Sequence, residues 1–95
     1  MEERRIVRTE KAGVFFGKIK EKNGDVFILT NVRRLWRWNG AASLSELAMH
    51  GTSDPQNCKF PCMVDEEEVY GVIENIKVTE KAAKSIDGVK EWKTR

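Results

Sequence analysis

The stretch Val14-Phe15-Phe16-Gly17-Lys18-Ile19-Lys20-Glu21-Lys22-Asn23-Gly24-Asp25-Val26-Phe27-Ile28-Leu29-Thr30-Asn31-Val32 decides the fold class. Two runs rich in β-branched and aromatic residues flank Asn23-Gly24, and such residues suit a pleated, half-buried surface. Asn and Gly both tolerate positive φ, so Asn23-Gly24 reads as a type I′ hairpin turn. Pairing of the return arm is expected to run on toward Trp38. Its alternation is imperfect: Val26, Ile28, Val32, Trp36 and Trp38 share one parity, and Phe27, Leu29 and Leu35 the other. Both faces of the early arm are therefore apolar, which predicts a central strand or part of a barrel.

Outward from this hairpin, Arg5-Ile6-Val7-Arg8-Thr9 reads as a short strand. Asn39-Gly40 breaks the return arm. Ser43-Leu44-Ser45-Glu46 is a capping-box pattern, Leu44, Leu47 and Ala48 share a helical face, and Gly51 is a plausible stop. A start nearer Ala41 is the alternative. Residues 52–57 read as a polar loop, and strands are expected at 59–64 and at 67–78, the second bent at Gly71. Thr79 caps a second helix over residues 80–86, which Gly88 ends. Residues 89–92 would carry Trp92 back as a terminal strand or clasp. The predicted class is α+β: one domain over residues 1–95, a small, mainly antiparallel sheet with barrel-like closure left open, and two short helices.

Composition narrows the function classes. Hydrophobic residues are 40% and charged residues 34%, the balance of a soluble globular domain. No apolar run approaches the ~20 residues of a bilayer span. No apolar stretch follows Met1-Glu2-Glu3-Arg4-Arg5, so a cytoplasmic protein without a secretory leader is expected. The net charge of +2 is too small to argue for general nucleic-acid binding. Its distribution is uneven: six of the seven arginines lie in the first 37 residues, and Asp65-Glu66-Glu67-Glu68 is an acidic cluster. This predicts a basic face and an acidic edge, or complementary patches for self-association; two merely solvated faces are the plainer alternative. Consecutive carboxylates on a strand point to opposite faces, so the cluster suits protection of a sheet edge better than cation binding. Cys58, Cys62 and His50 are too few for a zinc site, and no metal is expected. One of the two cysteines is expected to be a small buried apolar residue.

Arg33-Arg34-Leu35-Trp36-Arg37-Trp38 lies just ahead of the Ser43 helix start. Guanidinium forks, aromatic faces and unpaired helix N–H groups are three means of holding a planar anionic group. The predicted ligand-binding set is Arg33, Arg34, Trp36, Arg37, Trp38, Ser43 and Ser45. Strand alternation puts Arg33 and Arg37 on one face and Arg34, Trp36 and Trp38 on the other, so a bulge or a dimer partner is needed to aim them at one ligand. The competing reading makes the tryptophans core or rim residues and the arginines partners of Glu66, Glu67 and Glu68. Ser43 and Ser45 followed by His50 read as capping chemistry, since no orienting acid and no Gly-x-Ser-x-Gly elbow accompany them.

Arg33-Arg34-x-Trp36-x-Trp38-x-Gly40-Ala41-Ala42-Ser43-Leu44-Ser45-x-Leu47-Ala48, then Gly51 and Pro55-x-x-Cys58-Lys59-Phe60-Pro61, resembles a family of small uncharacterised proteins of tailed bacteriophages and prophages, a domain of unknown function. Arg8-Thr9, Ala12-Gly13-Val14-Phe15-Phe16-Gly17 and residues 89–92 are similar to it as well. The resemblance implies a phage or prophage accessory protein in a bacterial host; it brings no activity and no catalytic residues. With no triad, metal box or cofactor fingerprint, no cofactor and no enzymatic activity are expected. The expected function is stoichiometric binding of an anionic, nucleotide-like small molecule. The alternative is a protein–protein interaction module that binds a host protein or forms a homo-oligomer; nucleic acid is disfavoured and no membrane is expected.

Overall fold

The hairpin forms where the sequence places it, and the other strands are laid on its flanks. The structure, a computed structural model, describes residues 3–94. Strand β2 (Val14–Asn23) turns into β3 (Val26–Arg34). The pair Asn23↔Val26 closes the loop, so its two central residues are Gly24 and Asp25. Gly24 has φ 63°, whereas Asn23 does not have positive φ. The turn thus follows the Gly-first pattern of type II′, not type I′ on Asn23-Gly24: it needs one positive φ, which glycine adopts without steric cost.

Strand β1 (Arg5–Thr9) pairs with β2, β4 (Met63–Val69) with β3, and β5 (Val72–Lys77) with β1, all antiparallel. The order is β4-β3-β2-β1-β5. Residues 67–78 are therefore not one bent strand. They belong to two strands at opposite edges of the sheet, joined by Tyr70-Gly71 alone. Three Cα steps reach at most about 11 Å, whereas the outer strands of a flat five-stranded sheet lie about 19 Å apart. The sheet must curl to bring its edges together at this corner. Backbone bonds from Glu10 N–H to Gly71 O and from Val72 N–H to Asp25 O, both 2.9 Å, pin it. β4 and β5 are not paired, so the sheet stays open, and barrel-like closure does not occur.

The curl explains the two apolar faces. One face, with Ile6, Phe16 and Leu35, is covered by the helices, Phe60 and Val89. The other closes on itself, burying Val7, Phe15, Phe27, Leu29, Val32 and Val69. The broken alternation of β3 has a local cause. Asn31 has φ 47° and forms a bulge opposite Gly17, so Val32 joins Phe27 and Leu29 on the same face.

Helix α1 (Leu44–His50) starts after Ser43, whose hydroxyl accepts the Glu46 N–H at 3.1 Å. The Glu46 carboxylate reaches back to the Ala42 N–H, one residue before the cap. The start near Ala41 is thereby excluded. Helix α2 (Glu80–Asp87) is capped by Thr79, which accepts from Ala82 N–H at 3.0 Å and donates to Met49 O at 2.8 Å. One side chain thus begins α2 and ties it to the end of α1. The strand expected over residues 59–64 begins only at Met63; Lys59 and Phe60 form single bridges instead. Among the described residues, no helix is long and apolar enough to cross a membrane.

Candidate ligand-binding site

Adjacent strand positions separate the first two arginines of the motif. Arg33 pairs with Phe16 and faces the helices; Arg34 pairs with Phe15 and faces the curl. Arg33 is buried, and its guanidinium donates to four backbone carbonyls: Phe60 (3.1 Å), Pro61 (3.1 Å), Ile86 (3.0 Å) and Val89 (2.7 Å). Burial lowers its pKa from the ordinary arginine value, and the charges of Asp87 and Glu91 work against that shift. Arg34 instead donates to Ala12 O at 2.9 Å, approaches Glu67 Oε2 at 3.4 Å, and lies over the Phe15 ring at 4.7 Å.

Past Arg34 the chain leaves the sheet, and the expected pairing toward Trp38 stops. Leu35 is buried, Trp36 is 61% exposed, and Trp38 is half-buried against the helix-side core. Arg37 then meets Lys59 in an antiparallel bridge, with N–H···O distances of 3.2 and 2.7 Å. Phe60 bridges Glu91 in parallel, and its carbonyl accepts the Trp92 N–H at 3.0 Å. Three short segments are thus laced side by side, and Arg33 is the buried post that anchors two of them through Phe60, Pro61 and Val89.

This lacing shapes a cleft of about 200 Å³ lined by Arg37, Lys59, Trp92, Asn39, Gln56, Asn57 and Cys58. Lys59 Nζ sits 5.3 Å from the Trp92 ring centroid, and Trp92 is 47% exposed. Neither Arg37 nor Lys59 is in an ion pair among the described residues. The Asn57 amide already donates to the Asp54 carboxylate, at 3.0 and 2.9 Å. Arg37 and Lys59, an accessible indole and the side-chain amides of Asn39 and Gln56 can recognise an anion attached to a planar, hydrogen-bonding group. Buried Cys58 holds one wall: Asn39 N–H points to its Sγ at 3.4 Å. Cys62 is exposed, and both thiols are free.

Of the seven residues predicted to bind, only Arg37 lines this cleft. Arg33 supports it from beneath. Arg34 is turned to the opposite face of the sheet, and Trp36 and Trp38 lie outside the cleft lining. Ser43 spends its hydroxyl on the α1 cap, and Ser45 lies exposed on that helix. Asn39, Gln56, Asn57, Lys59 and Trp92 were not predicted as contacts. The sequence did offer one pointer, the clasp expected over residues 89–92, but nothing in it linked that clasp to Lys59.

A domain family of unknown function, DUF6948, matches residues 2–86. The chain belongs to this family. The match spans the sheet, both helices apart from the last residue of α2, and every cleft residue except Trp92. No curated protein and no solved structure matches the chain.

Proposed function

We propose that this DUF6948 protein acts without catalysis, by stoichiometric binding of a small anion that carries a planar group, such as a nucleotide. The observation that carries this reading is the convergence of Arg37, Lys59 and Trp92 on one cleft, with neither cation in an ion pair among the described residues. Arg37 and Lys59 take the anionic group, the Trp92 face takes the ring, and the amides of Asn39 and Gln56 read its edge. In this reading the protein is a phage- or prophage-borne accessory factor working in the cytosol of a bacterial host.

Native mass spectrometry with a panel of linear and cyclic nucleotides tests it. The expected result is a one-to-one adduct with one member of the panel. The double variant Arg37→Glu/Lys59→Glu should lose that adduct while keeping the wild-type far-UV circular dichroism. No adduct from any nucleotide, or an adduct that survives the double variant, removes the reading. One observation favours the second reading, a protein–protein module: Trp36 is 61% exposed, and tryptophan is enriched among interface hot spots. A clean oligomer without an adduct would favour it.

A further inference from the structure

A second cavity, of about 380 Å³, lies where the two sheet edges meet. One wall is residues 10–12, between β1 and β2. The other is the end of β4 and its corner, residues 67–71. The walls are cross-tied by Glu10 N–H to Gly71 O at 2.9 Å and by Arg34, which reaches Ala12 O and Glu67. The groove is therefore built into the fold.

Its chemistry is opposite to that of the Arg37 cleft. Ala12, Val69 and the Tyr70 ring give it an apolar surface, and Tyr70 is 63% exposed. Glu10, Glu67 and Glu68 line it against a single lysine, Lys11. Arg34 balances Glu67, and Lys11 offsets one of the two remaining carboxylates, Glu10 and Glu68, which leaves one net negative charge in the groove. An apolar slot with an acidic rim and an open aromatic face complements a cation on a methylene stem. The volume is within the range of recognition pockets and exceeds what one long side chain fills.

We propose that this groove docks a basic segment of a protein partner, seating an arginine or lysine side chain between residues 10–12 and the Tyr70-Gly71 corner. Charge complementarity selects that occupant: the carboxylates repel the anions suited to the Arg37 cleft. The two sites carry opposite charge and share no lining residue.

The test is fluorescence anisotropy of labelled hexa-arginine against the isosteric, uncharged hexa-citrulline, with unlabelled spermidine as competitor. Hexa-arginine is expected to bind, hexa-citrulline not to, and spermidine to displace poorly. Glu10→Gln/Glu68→Gln should weaken hexa-arginine binding at least tenfold. Ala12→Phe, which keeps every charge but narrows the slot, should weaken it similarly. Glu80→Gln on α2 should leave it unchanged. Equal binding of the two peptides, unchanged binding in the Glu10/Glu68 variant, or equal loss with Glu80→Gln overturns the proposal. Full displacement by stoichiometric spermidine would replace the peptide with a free polyamine and overturn it also.

Discussion

Arg33, Arg34 and Arg37 lie within five positions of one another and do three different things. Strand alternation predicted that Arg33 and Arg34 part company; it carried no information on depth, which depends on segments far along the chain. Arg33 ends beneath Phe60, Ile86 and Val89, where four carbonyls accept its fork. Arg33→Met keeps much of the volume but leaves buried carbonyls without donors, each costing about 1–3 kcal/mol. A total loss of at least 3 kcal/mol is expected, read as a lower urea midpoint at constant m. Arg33→Lys should rescue only part, since an ammonium has three donors for four acceptors. Tyr70 gives a second residue-scale prediction. A hydrogen bond to Glu68, and then that carboxylate's charge, raise its pKa above the ordinary value of 10.0. The interaction favours the protonated phenol. Its contribution to stability is thus present below pH 10 and disappears as pH rises through the raised pKa. Tyr70 is the sole tyrosine, so absorbance at 295 nm follows it alone. A midpoint above 10 that falls in Glu68→Gln is expected; an unchanged midpoint in the variant would dissociate the shift from Glu68.

Most elements were legible because their signals are local. The hairpin, both helix caps and the Gly51 and Gly88 stops rest on residues at most a few positions apart, and these are where sequence and structure agree. Two of the misreadings were register errors. The turn moved by one residue, and the parity of β3 broke at Asn31, because a bulge depends on the partner strand. Gly17 is that partner. A Cβ there would lie 3.0 Å from both Thr30 O and Val32 Cα, tighter than side chains normally pack. Gly17→Ala should therefore cost about 1–3 kcal/mol through forced displacement of β3, measured by urea titration. At the α1 start, Ser43→Ala removes the acceptor for Glu46 N–H and should cost about 1 kcal/mol. The same variant should leave the nucleotide adduct intact. Loss of the adduct in a folded Ser43→Ala protein would return Ser43 to the binding set.

Across the fold as a whole, the class was legible in the sequence but the closure was not. Two apolar faces on one hairpin are equally compatible with a barrel and with a layered sheet. What decides between them is which strands Tyr70-Gly71 joins, and no local pattern encodes that β4 and β5 are opposite edges. The Arg37 cleft was obscured for the same reason, because its three segments come from residues near 37, 59 and 92. The corner makes the curl experimentally separable from the helix-side layer. Inserting Gly-Gly between Tyr70 and Gly71 doubles the two-residue link and relaxes the distance constraint. Loop-closure entropy alone would cost about 0.6 kcal/mol. Losing the bonds at Gly71 O and Val72 N–H would add about 1 kcal/mol each, so a total near 2–3 kcal/mol is expected. Amide exchange should then accelerate at Phe27, Leu29 and Val69, which line the curl, while Ala83 and Ile86 on α2 keep more of their protection. Hexa-arginine binding should fall with the groove, and the nucleotide adduct should persist with the cleft. A uniform rise in exchange across both layers would mean that the corner holds the whole fold together rather than the curl alone.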